Sequence, residues 1–261
     1  MPTVASSDQT PIHYRVIGDG PRNVLLVHGW MVSGAVFDGL VELLDTTGLR
    51  LVIPDLRGSG GSGAPAGGYT LEQHARDVLA VADHAGFKRF TVVGHSMGGQ
   101  LAQWVAAQEP ARVEGLMLLN TVPASGLPLP PDAAGLFRTS ANDSGKQKII
   151  LGLACKQLSE TALERLLKDA VTVAKASIEG SFDAWTGGGF AEKLGAITAP
   201  TLVVATDDAF LPPAFLREVV VRPIQNARLA YLPGPGHYPH VERPAETAAL
   251  LTSFLAGLGR A

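Results

Sequence analysis

The segment Gly94-His-Ser96-Met97-Gly98 places a serine between two glycines directly after a predicted strand. A strand that turns at once into a helix crowds the backbone two residues on either side of the turn, and the glycines relieve that clash. The helix that begins at Met97 points its free N–H groups at any oxyanion formed beside Ser96. The pattern therefore predicts a nucleophilic serine, with Gly94 and Gly98 in support and the Met97 amide as one oxyanion donor.

Serine is a weak nucleophile unless a base accepts its proton and an acid orients that base. Of the seven histidines, His237 lies in a Gly- and Pro-rich loop after the last predicted strand, at the sheet edge where parallel sheets place active groups. We favour it over His240, which is expected to cap or orient its neighbours. The acid should follow the preceding strand, where Asp207 and Asp208 are adjacent. Both cannot face one imidazole, so we favour Asp208 and leave Asp207 open.

A second oxyanion donor must come from a loop after a different strand. The segment His28-Gly29-Trp30 follows a predicted buried strand, and Gly29 lets the backbone turn tightly enough for the Trp30 amide to face a bound carbonyl. His28 is then a structural tie for this loop. Serine, histidine and aspartate with two backbone donors form a set that is typical of acyl transfer.

The elements that must position these residues alternate between strand and helix. Each short apolar run is followed by a turn and a stretch with helical periodicity. Continuous apolar strands separated by helices indicate an α/β fold with a mostly parallel central sheet that helices flank. The apolar runs lie at residues 23–28, 49–54, 90–93, 113–119, 201–205 and 228–232.

The alternation is interrupted between two late strands. Residues 122–197 contain prolines and helical stretches but no strand-like run, and a segment of that length is too long for a simple connection. We predict a helical cap over 122–197, inserted in a core domain of residues 1–121 and 198–261; an enlarged crossover without a functional part is the alternative. Aromatic residues of the cap and of the sheet edge are expected to line an apolar pocket, namely Phe137, Phe182, Trp185, Phe190, Phe210 and Tyr238.

Composition limits the possible partners. Hydrophobic residues make up 46% of the 261 residues, so the chain can bury a large core; the net charge is −3 with no block of like charge, so a nucleic-acid partner held by a basic stripe has no support. No apolar run approaches the roughly 18 residues of a membrane span, and no signal peptide is evident. The single Cys155 excludes an intramolecular disulfide and fits a reducing cytoplasm. We expect a cytoplasmic monomer or homodimer that binds neither nucleic acid nor membranes and needs no metal or cofactor.

With these residues placed, the chain resembles the α/β-hydrolase superfamily, in particular its esterase and cofactor-free haloperoxidase-like branch. The resemblance covers nearly the whole chain. It rests on the His28-Gly-Trp loop, the Gly94-His-Ser-Met-Gly-Gly run, the Gly236-His237 pair and the chain order serine, aspartate, histidine. It implies that the inserted segment is a cap of several helices.

Two departures from the family pattern matter. Relatives usually carry a glycine before the acid loop, where this chain has Ala205-Thr206, and this keeps the choice between the two aspartates open. Peroxide-using relatives typically follow the oxyanion tryptophan with proline, where this chain has Met31. Ser96 also argues against haloalkane dehalogenases and epoxide hydrolases, which carry aspartate at the nucleophile position.

We therefore predict a serine hydrolase that cleaves small, neutral, modestly hydrophobic carboxylic esters or lactones through an acyl-enzyme intermediate. Its partners would be that small molecule and water. Three alternatives stay open: a carbon–carbon hydrolase of a ring-cleavage pathway, which shares the Ser-Met-Gly-Gly run, a perhydrolase or haloperoxidase-like enzyme, and a non-catalytic ligand-binding protein that kept the fold.

Overall fold

A single mixed sheet runs through the computed structural model, which describes residues 2–259. Its strands are β1 (Thr3–Ala5), β2 (Pro11–Ile17), β3 (Arg22–Val27), β4 (Leu49–Pro54), β5 (Phe90–His95), β6 (Val113–Leu119), β7 (Thr201–Ala205) and β8 (Ala227–Tyr231). They follow the order β1-β2-β4-β3-β5-β6-β7-β8. The pairings of β2 with β1 and with β4 are antiparallel, and all the others are parallel. The predicted mostly parallel α/β fold is confirmed.

Helices connect the strands and form the insertion. They are α1 (Asp38–Val41), α2 (Leu71–His84), α3 (Met97–Gln108), α4 (Pro131–Arg138), α5 (Ser144–Ala154), α6 (Glu160–Ala170), α7 (Lys175–Gly187), α8 (Pro213–Leu216), α9 (Pro239–Glu242) and α10 (Pro244–Gly257). Short 3₁₀ turns occupy Gly34–Phe37 and Ala191–Ala196, and a π turn occupies Arg217–Val221. No helix within residues 2–259 combines the length and the apolar character that crossing a membrane requires.

Local sequence explains where α2 begins and ends. The Thr70 hydroxyl accepts a hydrogen bond from the Gln73 N–H at 3.2 Å, which satisfies one of the free donors of the first turn. Gly86 has a φ of +76° just beyond the helix, a conformation that favours glycine and stops the helix. One face of α2 is buried, including Val78 and Val81, so the helix packs against the core along that face.

The sheet brings four connections to one edge. Register pairs Val27 of β3 with Gly94 of β5, Gly94 with Leu118 of β6, and Leu118 with Val203 of β7. Because these strands are parallel and in step, their carboxyl ends lie side by side. The loops after β3, β5 and β7, together with the loop after β8, which pairs in parallel with β7, carry the predicted nucleophile, acid, base and oxyanion donors.

Four helices, α4 to α7, lie between β6 and β7, and we call them the cap. The chain segments that lead into and out of the cap touch through their backbones. A Cβ atom on Gly126 would lie 2.3 Å from the Thr186 carbonyl oxygen, and one on Gly188 would lie 2.1 Å from the Gly126 nitrogen. The Gly189 N–H also donates to the Ala124 carbonyl at 2.9 Å. The cap thus joins the core through a narrow neck, while its predicted limits at residues 122 and 197 stay a prediction.

Candidate active site

Ser96 occupies the sharp turn between β5 and α3. Its φ is +54° and its ψ is −120°, a conformation that L-residues adopt only where the surrounding structure holds them in it. A Cβ on Gly94 would lie 2.3 Å from the Gly98 carbonyl oxygen, and one on Gly98 would lie 2.2 Å from the Val27 oxygen. Only glycine fits at both positions: the crowding at Gly94 lies within the turn, as the sequence predicts, whereas the crowding at Gly98 comes from the end of β3.

The loop after β3 packs directly against this turn. A Cβ on Gly29 would lie 3.0 Å from Ser96 Cβ, so the loop is as close to the serine as its backbone allows. Among residues 2–259, neither the backbone N–H of Trp30 nor that of Met97 donates a hydrogen bond to a protein acceptor; the indole N–H of Trp30 donates to the Ile178 carbonyl at 2.9 Å. Neither backbone amide is thus occupied by an acceptor from the described part of the chain, which is the condition that an oxyanion donor must meet.

His28 holds the same loop from inside the protein. Its Nδ1 donates to the Gly29 carbonyl at 2.8 Å and its Nε2 accepts from the Leu56 N–H at 2.8 Å. This pair of contacts requires the neutral ring with its proton on Nδ1. Burial lowers the pKa of His28, which favours that neutral form. The structure therefore places His28 as a tie between two loops, as the sequence indicates.

His237 and Asp208 form the central polar contact of the site. The distance from His237 Nδ1 to Asp208 Oδ2 is 2.6 Å, and the Phe210 N–H donates to the other carboxylate oxygen at 2.8 Å. Burial raises the pKa of Asp208, but the neighbouring His237 and these hydrogen bonds outweigh it, so the pKa lies below its ordinary value. The carboxylate is therefore ionised and aligned with the imidazole.

Asp207, the alternative acid, faces away from the imidazole. Its carboxylate accepts from the Gly234 N–H at 3.0 Å and from the Tyr231 hydroxyl. Both contacts lie beside β8, on the outer side of the loop. The structure therefore brings Asp208, and not Asp207, to His237.

Asn120 completes the polar network, and sequence reasoning missed it. Its amide nitrogen lies 3.1 Å from Asp208 Oδ2, 2.6 Å from Thr206 Oγ1 and 3.1 Å from the Gly236 carbonyl oxygen. It thus joins the acid loop to the histidine loop. The sequence does indicate Asn120 by its position, because it is a polar residue directly after the apolar strand β6, at the sheet edge where the other polar residues of the site converge.

Ser96 and His237 line the same small cavity. No hydrogen bond joins the Ser96 hydroxyl to the His237 ring in this structure; catalytic hydrogen bonds are often long in ligand-free enzymes and shorten when substrate binds. The His237 backbone is fixed on both sides: its N–H donates to the Ala154 carbonyl at 2.8 Å, and its carbonyl accepts from His95 Nε2 at 2.9 Å. The histidine therefore has a defined position at the wall of the cavity.

His240, the alternative base, is fully buried beneath the site. Its ring centroid lies 4.4 Å from that of His95 and 5.0 Å from that of Phe37. Burial lowers the pKa of His240 to about 3, so the ring is neutral near pH 7. Packing against these rings, and not contact with Asp208, defines its place in the structure.

The cavity has a volume of about 50 Å³ and an apolar lining. Phe137 stacks on the Trp30 ring with centroids 5.5 Å apart and an interplanar angle of 13°. Four of the six predicted pocket residues line the cavity, namely Phe137, Trp185, Phe210 and Tyr238. Aliphatic side chains complete the wall: Met31, Val122, Leu127, Leu129, Ile150, Ala154 and Leu211.

The prediction that Phe182 and Phe190 line the pocket is wrong. Phe182 packs edge-on against Trp185, with centroids 5.1 Å apart, and stands behind the wall of the cavity. Phe190 is fully buried, and its ring centroid lies 4.7 Å from that of Trp104 in α3. This contact anchors the end of the cap on the core. Both aromatics satisfy the need of the cap helices to bury a face.

Comparison with known proteins shows which family and which solved structures this chain is similar to. A family model described as alpha/beta hydrolase fold matches residues 22–142. A non-heme haloperoxidase from Rhodococcus erythropolis is 31% identical over 257 residues, which covers 91% of this chain and 93% of that protein. An esterase from Exiguobacterium antarcticum has a similar structure, with a TM-score of 0.89, 24% identity and coverage of 97% and 98%. Est816, described as an N-acyl homoserine lactone degrading enzyme, aligns with a TM-score of 0.80, 27% identity and coverage of 97% and 100%.

Proposed function

Because the chain belongs to the α/β-hydrolase superfamily, in its esterase and haloperoxidase branch, we propose that it is a serine hydrolase that cleaves carboxylic esters or lactones through an acyl-enzyme. The observation that carries this proposal is the 2.6 Å contact between His237 and Asp208 on the wall of a cavity that also exposes Ser96. A nucleophile, a base and an ionised acid are thus available at one site.

Acylation begins when Ser96 Oγ attacks the ester carbonyl carbon and His237 Nε2 accepts the hydroxyl proton. Asp208 holds the opposite ring N–H and stabilises the imidazolium that forms. The carbonyl oxygen becomes an oxyanion and accepts hydrogen bonds from the Trp30 and Met97 amides, each worth about 3 kcal/mol in the transition state. Collapse breaks the bond to the leaving oxygen, which takes the proton from His237 and departs as an alcohol.

Deacylation repeats these steps with water. His237 removes a proton from a water molecule while the water oxygen attacks the acyl carbon. The same two amides bind the second oxyanion. When the bond to Ser96 Oγ breaks, the proton returns to the serine and the carboxylic acid leaves. With a lactone, alcohol and acid remain on one molecule.

The cavity supports a neutral, modestly hydrophobic acyl group. None of the residues that line it within 2–259 is an aspartate, glutamate, lysine or arginine, so a charged substituent would be buried without a partner, at a substantial cost in free energy. Its volume of about 50 Å³ also favours a short acyl chain. The lactone activity stated for Est816 is consistent with lactones as part of this substrate class.

Two measurements test the proposal. A fluorophosphonate probe, followed by peptide mapping, should label Ser96. A panel should then rank short-chain esters and lactones above a vinylogous diketone acid and above acyl transfer to hydrogen peroxide. Preference for the diketone acid would assign a carbon–carbon hydrolase, and preference for peroxide would assign a perhydrolase. Binding of esters without labelling or turnover would assign a non-catalytic receptor.

A further inference from the structure

Glu242, at the end of α9, has a carboxylate that four backbone N–H groups surround. Its oxygens accept from Lys156 at 2.8 Å, from Gln157 at 2.7 Å, from Gly236 at 3.0 Å and from Tyr238 at 3.2 Å. The residue is only 9% exposed and forms no ion pair with a basic side chain of residues 2–259. Backbone amides therefore supply the hydrogen bonds that this buried carboxylate needs.

The four donors come from two different parts of the molecule. Lys156 and Gln157 lie in the cap, in the turn between α5 and α6. Gly236 and Tyr238 flank His237 in the loop after β8. The oxygen Oε2 accepts from Gly236 and from both cap residues, so the cap and the histidine loop share one acceptor atom.

Further contacts draw the two segments together at the same place. The N–H of His237 donates to the Ala154 carbonyl at 2.8 Å, and a Cβ on Gly236 would lie 2.3 Å from that same oxygen. The Arg243 Nε also donates to Gln157 Oε1 at 2.6 Å. Backbone therefore lies directly on backbone, and a shift of the cap at 154–157 cannot leave the histidine loop unchanged.

We propose that Glu242 is a positioning residue that couples the place of the cap to the aim of the His237 ring. The inference rests on the proposed function, in which His237 is the base. Asp208, itself held by Asn120, contacts the imidazole from the sheet side, and Glu242 holds the backbone on either side of His237. A displacement of about 1 Å in such a group costs on the order of 100-fold in rate.

The first test is Glu242→Gln, which keeps the shape of the side chain but turns an NH₂ group toward backbone donors. The kcat for p-nitrophenyl acetate should fall by about 10- to 100-fold, while KM changes by less than about threefold because no side chain that lines the cavity is replaced. Labelling of Ser96 by the fluorophosphonate should slow in parallel, because it needs the same base. The Glu242→Asp variant keeps the charge and should recover part of kcat.

Asp169→Asn is the matched control. Asp169 of α6 also ties the cap to the core, since its carboxylate accepts from the Ser33 N–H at 2.6 Å and from the Ser33 hydroxyl at 2.7 Å, but it does not touch the histidine loop. Its kcat should stay within about threefold of wild type. Thermal unfolding of each variant, and assays well below the lower midpoint, separate misalignment from loss of fold.

The outcomes distinguish the two proposals. If the wild-type protein is neither labelled nor active, the proposed function fails. If the wild type is labelled and active but Glu242→Gln keeps its kcat, the coupling alone is refuted. The coupling is also refuted if Glu242→Gln and Asp169→Asn lose kcat equally and in proportion to their loss of stability. Should Glu242→Gln fail to fold, Glu242→Asp with the wild-type kcat gives the same refutation.

Discussion

The two sides of the cavity are built on different principles. On the sheet side, directional hydrogen bonds fix single residues: His237 to Asp208 at 2.6 Å, and Asn120 to Asp208 at 3.1 Å. On the cap side, aromatic and aliphatic surfaces meet, as where Phe137 lies 6.3 Å from Trp185 between ring centroids. A hydrogen bond demands a particular partner, whereas apolar packing demands mainly volume. Reactivity should therefore be sensitive to small changes on the sheet side, and selectivity to changes on the cap side.

The largest effect is expected for Ser96→Ala. Removing the nucleophile should lower kcat for a short ester by at least about 10⁴-fold, while thermal stability changes little because Ala fits the same backbone. Steady-state kinetics and thermal unfolding would measure both. A variant with near-normal turnover would contradict the role of the sheet side altogether.

The next effect separates two neighbouring acids. Asp208→Asn should lower kcat by about 10³- to 10⁴-fold, because the amide stabilises the wrong tautomer of His237 and cannot stabilise the imidazolium. Asp207→Asn is the matched control and should stay within about twofold, since the Asp207 carboxylate accepts from Tyr231 and Gly234 beside β8 and not from His237. Equal losses in kcat would show that the loop, and not the carboxylate, matters.

Acid stability compares one buried histidine on each side. His240 lies beneath the site on the sheet side. On the cap side, His74 Nε2 lies 3.0 Å from the Ser181 hydroxyl oxygen. Burial lowers the pKa of each histidine to about 3. The unfolded chain binds protons on these rings near pH 6.5, so their stabilising contribution is complete above that pH and declines as pH falls toward 3. Each should account for on the order of 3 kcal/mol of the free energy of unfolding between pH 6.5 and 4.

Urea unfolding at several pH values would measure this dependence. His240→Leu and His74→Leu should each flatten the decline in this window, because one titrating group is removed. The variant with the flatter profile identifies the side on which protonation destabilises the fold more. Profiles identical to that of the wild type would contradict the burial of neutral rings.

The smallest effect concerns the cap side. Phe137→Leu enlarges the cavity, so the ratio of kcat/KM for longer over shorter acyl esters should rise by about tenfold, a typical value for a few methylene contacts. Phe190→Leu makes the same substitution away from the cavity and should reduce stability without changing that ratio. An unchanged ratio in Phe137→Leu would contradict a role for the cap side in selectivity.

Sequence reasoning located the site where the cause is local. Gly94 is required by crowding within the turn, since a Cβ on it would lie 2.3 Å from the carbonyl oxygen of Gly98, four residues along the chain. Gly98 is required by a contact with a different strand, since a Cβ on it would lie 2.2 Å from the Val27 carbonyl oxygen of β3. The alternation of strand and helix was likewise sufficient to predict the sheet. For Gly94 and for this alternation, the residues that determine the structure are neighbours in the chain.

Long-range geometry explains what could not be predicted. The choice of Asp208 over Asp207 depends on how one turn after β7 is wound. The roles of Asn120 and Glu242 depend on loops that are far apart in the chain, up to 116 residues from Asn120 to Gly236. In the sequence, Phe182 and Phe190 cannot be told apart from the aromatic residues that line the cavity. Only the packing of the folded chain decides which aromatic side chains face the cavity.

The glycine contact at the neck has an evolutionary consequence. Because the Gly126 and Gly188 backbones cross within van der Waals distance, the segment between them starts and finishes at nearly the same point in space. Its length can change without pulling on the two strands to which it is attached. Exchange of the whole segment at these glycines is thus a route to new substrate ranges, in natural divergence or in engineered chimaeras, when the replacement keeps the backbone contacts of residues 154–157 with His237 and Glu242.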